Sequence, residues 1–196
     1  MALYVCGISV ELREVVLKNK PASMLHYSKK GSVPVLVFEN GRVIDESIDI
    51  VNWALSVHDP EQLKSGLSKR ETDEVQSLQG ENDYIFKSHL DRYKYADRHP
   101  EGTREEYQKH CLSFISALEL KLEKTKFLIG DKRTVADIVV MPFIRQFAHV
   151  DKKWFDDCEY HQVKRWLYDE IEGETFSKIM KKYPAWEPEQ TQLIFP

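Results

Sequence analysis

Residues 32–47, Ser32-Val33-Pro34-Val35-Leu36-Val37-Phe38-Glu39-Asn40-Gly41-Arg42-Val43-Ile44-Asp45-Glu46-Ser47, decide how this chain is read. Val33 to Phe38 is a compact apolar run rich in β-branched residues, which predicts a buried strand. Asn40-Gly41 favours a tight hairpin turn, and Arg42 to Asp45 supplies the returning strand. Ser47 stands where a helix N-cap belongs, ahead of Ile48, Ile50, Val51, Ala54 and Leu55 at mainly helical spacing. Strand, hairpin, strand and helix are thus written into one short stretch.

Upstream, Ile8, Val10 and Leu12 alternate with Ser9, Glu11 and Arg13, the period of a half-buried strand. Pro21 opens a short helix to Tyr27, where its missing N–H leaves no donor unsatisfied, and Gly31 closes that segment. Residues 1–57 therefore form a mixed α/β domain. His58-Asp59-Pro60 is turn chemistry, and from residue 58 to 196 the pattern is helical. A long helix is expected from Ser68 to Asp97, with Val75, Leu78, Ile85, Phe86, His89 and Tyr93 on one side, and His99-Pro100 stops it. The next, Thr103 to Lys124, carries Tyr107, Cys111, Phe114, Leu118 and Leu122 as its apolar stripe. Thr134 and Asp137 have the spacing of a capping box ahead of the apolar stretch 138–148. Shorter helices are expected near His161–Ile171 and Thr175–Lys182, and an irregular tail from Pro184.

Charge and composition exclude several classes. The formal net charge is −4, and the basic residues lie scattered among acids rather than in a stripe, so a nucleic-acid footprint is not expected. No apolar run reaches the length of a membrane span, and no signal peptide opens the chain. The three cysteines, Cys6, Cys111 and Cys158, are widely spaced, with no Cys-x-x-Cys pair, and read as reduced thiols in the cytoplasm. The histidines show no metal-ligand spacing, and no metal is expected.

Three places then acquire meaning together. Leu17-Lys18-Asn19-Lys20-Pro21, Ser32-Val33-Pro34 and Glu46-Ser47 resemble, in order and spacing, the glutathione-binding segments of cytosolic glutathione transferases, most closely the omega class and its bacterial relatives. The helical continuation, with Thr134 to Asp137, resembles the family's C-terminal domain. The resemblance implies a thioredoxin-like N-terminal domain followed by an all-α domain. It implies a cis Val33–Pro34 bond that offers the Val33 backbone to the cysteinyl backbone of glutathione, as a short strand addition. It places Lys20 at the glycyl carboxylate, Glu46 at the γ-glutamyl ammonium and Ser47, at a helix N-terminus, at the γ-glutamyl carboxylate. Taken alone, Lys20 and Glu46 read as solvated charges, Ser47 as a cap and Pro34 as a trans edge proline. The implied second substrate is a small electrophile or a mixed disulfide, and the implied assembly is a homodimer.

The same resemblance aligns Met1 to Ile8 with the end of the family's first helix. The family's first strand and its catalytic loop then have no counterpart, and no catalytic residue is assigned. With that strand missing, Val10 to Val15 is expected to pair directly with Val33 to Phe38, to be completed by a partner chain, or to be poorly ordered. Cys6, at a helix C-terminal end on an apolar segment, reads as a buried structural cysteine rather than a substitute nucleophile. Tyr84, Phe86, His89 and Tyr93 are equally core residues or the wall of a second-substrate pocket. Two functions remain open: a glutathione-dependent enzyme, and a non-catalytic glutathione-binding or interaction protein.

Overall fold

A computed structural model describes residues 1–196. They divide into two compact units: Met1–Glu61 with Glu174–Pro196, and Gln62–Gly173. The small-sheet unit and the helical unit are the architecture that the sequence implies, but residues 174–196, read above with the helical domain, return to the first unit.

In the first unit, α1 (Ala2–Val5) turns through Gly7, whose positive φ of 61° suits a residue without a Cβ. Then come β1 (Val10–Glu11), α2 (Ala22–Tyr27), the hairpin β2 (Leu36–Val37) and β3 (Val43–Ile44), and α3 (Ser47–Val57). The hairpin closes through a three-residue loop. Gly41 N–H donates to the Phe38 carbonyl at 2.9 Å, Phe38 N–H donates to the Arg42 carbonyl at 2.9 Å, and Gly41 takes φ 82°. The Asn40 side chain accepts from Arg42 N–H at 3.0 Å, which locks the turn. Ala2 and Cys6 of the first turn pack with Ile44, Ile50, Ala54 and Leu55 as the buried apolar centre. The Phe38 and Trp53 rings meet edge to face beside it, their centroids 4.9 Å apart.

Two readings of this unit are corrected. The run Val33–Phe38 is not a buried strand: only Leu36–Val37 is paired, and Val33 and Val37 are exposed. Nor does the first strand pair with that run. It pairs with β4 (Ile194–Phe195), antiparallel, with Val10 opposite Phe195 and Glu11 opposite Ile194. Leu12 N–H donates to the Leu193 carbonyl at 2.7 Å, and Trp186 N–H to the Glu14 carbonyl at 2.9 Å. The tail from Pro184 thus ends as a strand, and the backbone groups of β1 find partners at the far end of the sequence.

The second unit is built from α4 (Lys69–Gly80), a π-helical turn Glu81–Phe86, α5 (Lys87–Lys94), α6 (Arg104–Leu122), α7 (Val135–Val150), α8 (Lys152–Asp157) and α9 (His161–Glu172). α10 (Glu174–Ile179) belongs to the first unit. The expected helix from Ser68 to Asp97 runs as α4, the π turn and α5. A π turn holds more residues than an α turn, so the apolar stripe slips in phase. Phe86, Leu90 and Tyr93 stay buried, while Ile85, expected on the same side, is exposed, and Tyr84 more so. Ser68–Glu71, Thr103–Glu106 and Thr134–Asp137 each form a capping box, at the starts of α4, α6 and α7. Phe147, at the centre of the core, meets Phe86, Tyr93, Trp154 and Phe155. No helix is long and apolar enough to cross a membrane.

Candidate functional site

The residues that the sequence singles out lie in the first unit, and the hairpin sets most of them together. Its register pairs Leu36 with Ile44 and Val37 with Val43. Pro34 and Val33 lie two and three positions before the paired Leu36, and Glu46 and Ser47 two and three positions after the paired Ile44, on the two arms of the hairpin. The Val33–Pro34 bond is cis. Neither the N–H nor the C=O of Val33 has a hydrogen-bond partner in the protein, and the residue is exposed, so an extended ligand backbone can reach both groups.

Ser47 is the first helical residue of α3, and Glu46, with φ −113°, occupies the cap position that the sequence reading gave to Ser47. No side chain caps this end. The first helical N–H donors that the chain satisfies are those of Asp49 and Ile50, both to the Glu46 carbonyl at 3.1 Å. The N–H groups of Ser47 and Ile48 and the Ser47 hydroxyl are left to solvent, a donor set suited to a carboxylate at the positive end of a helix dipole.

Lys20 reaches the same loop from the start of α2. A Cβ on Gly31 would stand 3.6 Å from Lys20 Nζ and 3.2 Å from Leu25 Cδ2. Gly31 is buried with φ 61°, a backbone conformation that favours glycine. The half-buried Lys20 stem therefore lies along the loop that leads to Val33.

The structure adds three residues. Lys30 Nζ donates to Glu46 Oε1 at 2.6 Å and to Asp45 Oδ1 at 3.2 Å, and the Ser28 hydroxyl donates to Asp45 Oδ2 at 2.8 Å. The Ser28 hydroxyl first, and then the Lys30 ammonium, hold the Asp45 carboxyl below its ordinary range. Lys30 in turn is held above its ordinary value, by Glu46 and then Asp45. The hairpin register carries no signal for this cluster, since it sets Asp45 and Glu46 against Val35 and Pro34 rather than Lys30; the Lys30 and Ser28 contacts are made by the fold.

No cysteine stands among these groups. Cys6 is buried beneath α3, and its carbonyl accepts from His58 Nδ1 at 2.9 Å. Burial, and then the charges of Asp59 and Glu61, push its thiol up, away from the thiolate a nucleophile needs. Burial pushes Cys111 up to about 12. Cys158 donates to the Phe155 carbonyl at 3.0 Å. No group of three or more His, Cys, Asp or Glu residues is placed to hold a metal ion.

An α/β unit presenting an open strand backbone beside a free helix N-terminus, joined in sequence to an all-helical unit, narrows the class of protein considerably. Comparison with known proteins completes the assignment: the chain belongs to the glutathione S-transferase family, the model of its N-terminal domain matching residues 1–62 and that of its C-terminal domain residues 84–183. No curated protein matches the chain. Solved structures share its fold. A glutathione S-transferase domain-containing protein from Marinobacter aquaeolei aligns with TM-score 0.71 at 19% identity, over 89% of this chain and 91% of its own. BphK, a bacterial glutathione S-transferase solved as a ternary complex, gives 0.75 at 21%, over 90% of this chain and 88% of its own. A glutathione transferase from Phanerochaete chrysosporium, solved with oxidized glutathione, gives 0.70 at 20%, over 91% and 86%.

Proposed function

We propose that this chain binds glutathione on its N-terminal unit and serves, in the cytoplasm and as a homodimer, in glutathione-dependent transfer or thiol–disulfide exchange on small electrophiles or mixed disulfides. The observation that carries the reading is the open backbone of Val33 on one arm of the hairpin together with the uncapped N-terminus of α3 at the end of the other. The cysteinyl backbone of glutathione pairs with Val33, beside Pro34. Its γ-glutamyl carboxylate accepts from the Ser47 hydroxyl and the first N–H groups of α3, and its ammonium meets Glu46. Lys20 takes the glycyl carboxylate. The ammonium must replace Lys30 at the Glu46 carboxylate, and because that pair is exposed the exchange costs little.

Glutathione supplies the reacting sulfur, and neither Cys6 nor Cys111, both buried with raised pKa values, assists it. That state of the cysteines favours a second reading, a glutathione-binding protein without turnover. Isothermal titration with reduced glutathione tests the binding. Saturable uptake is expected, weakened about tenfold in both Ser47→Ala and Glu46→Ala, a loss of about 1.4 kcal/mol. Failure of the unaltered protein to bind overturns the proposal. Assay with a mixed glutathione disulfide then separates the two readings, and turnover abolished by Cys6→Ala would show that the thiol is a nucleophile after all.

A further inference from the structure

Lys30 already occupies the acid that the proposed binding mode gives to the ligand. Its Nζ donates to Glu46 Oε1 at 2.6 Å and to Asp45 Oδ1 at 3.2 Å. The two acids are adjacent in sequence but differently held. Asp45 accepts on its other oxygen from the Ser28 hydroxyl, and its side chain is 28% exposed. Glu46 has Lys30 as its side-chain partner and is 58% exposed, open to solvent and to a ligand.

The backbone presents Lys30 to this pair. Ser28, 2% exposed, closes α2: its N–H donates to the Met24 carbonyl at 2.9 Å, and its carbonyl accepts from Gly31 N–H at 3.1 Å. Lys29 and Lys30 lie in the turn that these bonds close, and Lys30 is the one that bridges to the acids. Its ammonium, with three N–H donors, can serve two carboxylates at once. A second ammonium arriving at Glu46 takes one of those contacts and leaves Lys30 the other. Lys30 then still has a counter-charge, because Ser28 keeps the Asp45 carboxylate in place. When no second ammonium arrives, Lys30 stays where it is and Glu46 remains paired.

We propose that Lys30 stands in for the ammonium of glutathione, so that the site also admits glutathione derivatives whose γ-glutamyl amino group is absent or uncharged. This role of Lys30 rests on the placement of glutathione proposed above. Without Lys30, a ligand lacking the amino group would leave Glu46 an unpaired acid close to the carboxylate received by the α3 N-terminus, and like charges at short range repel. With Lys30 in place that penalty is absent. The counterpart is a loss for glutathione itself, whose ammonium competes with a cation already bound. Both effects act through an exposed ion pair, so each amounts to about a few-fold in affinity rather than orders of magnitude.

The test compares reduced glutathione with glutaryl-cysteinyl-glycine, the same molecule without the amino group, by isothermal titration of the full chain at fixed ionic strength. The unaltered protein is expected to bind the analogue within about tenfold of glutathione. In Lys30→Gln the ratio of the two affinities is expected to widen at least about threefold in favour of glutathione. Lys29→Gln removes the same charge one residue away, at an exposed position, and should leave the ratio unchanged. It separates the contact with Glu46 from the general field of a lysine. Glutathione binding with a ratio that Lys30→Gln leaves unchanged, or that Lys29→Gln widens equally, overturns the role of Lys30 alone. So does an analogue that fails to bind where glutathione binds. Failure of all three proteins to bind glutathione overturns its placement and the role of Lys30 together.

Discussion

Asp137 accepts four hydrogen bonds with one carboxylate: from Leu128 N–H at 3.0 Å, Thr134 N–H at 2.8 Å, the Thr134 hydroxyl at 3.1 Å and Trp166 Nε1–H at 2.9 Å. It is fully buried; burial pushes its pKa up, and the four donors work against that rise. Its capping partnership with Thr134 is legible from their spacing, whereas the bonds from Leu128 and Trp166 are made by the fold and have no signature along the chain. Asp137→Ala strips the acceptor from several buried donors at once, and a loss of at least about 3 kcal/mol is expected in urea unfolding. A second residue sets an alkaline limit. The Cys111 thiol, ordinarily at 9.0, is pushed up to about 12 by burial. The folded chain thus holds this proton more tightly than the unfolded chain does. That contribution is whole below pH about 9 and is lost as the pH climbs towards about 12. Tyr93, pushed up to about 12 mainly by burial, acts in the same direction. The thermal midpoint is expected to fall between pH about 9 and about 11, and to fall less steeply in Cys111→Ala.

At the scale of elements, what is local in the sequence is legible and what is remote is not. The hairpin, the capping boxes and the apolar stripe of α6 follow from neighbours a few residues apart, and the structure contains each of them. The extent of β1 and of β2 does not, because strand length depends on which backbone arrives alongside. β2 is short because a single partner, β3, pairs with it, and β1 is short because its partner, β4, is a two-residue strand. The π turn defeats a period count for a similar reason: its extra residue per turn is invisible to a helical wheel built on a constant repeat. Of the candidate site, Val33, Pro34, Glu46 and Ser47 are legible through their resemblance to the glutathione-binding segments of the family, whereas the Lys30 bridge to Glu46 is made by the fold and has no signature along the chain. The β1–β4 ladder gives a direct test. The Leu12 amide, bonded to the Leu193 carbonyl, is expected to be protected from hydrogen exchange, and to lose that protection when residues 193–196 are deleted. Protection that survives the deletion would point to a different partner for β1.

Over the whole molecule, the two units differ in what holds them. The first buries few large apolar side chains, whereas the second packs Trp166, Phe86, Phe147, Phe155, Met141 and several leucines to near-complete burial. Apolar burial is the main stabilising force, so the first unit is expected to open at a lower free energy than the second. Native-state hydrogen exchange checks this: amides of α3 should exchange through smaller openings than those of α6 and α7. Phe147→Ala, expected to cost about 3 to 5 kcal/mol, should lower the protection of α6 and α7 far more than it lowers that of α3. The β1–β4 pairing also has a consequence for the order of assembly. All residues of the helical unit, 62–173, are synthesised before β4, and its contacts can form while the chain is still being made. β1 is among the first segments to emerge, yet its partner is among the last. Closing that ladder joins positions separated by nearly the whole polypeptide, the costliest kind of contact in chain entropy and among the slowest to form. The first unit is therefore begun early and finished late, with the completed helical unit held between its two ends in sequence.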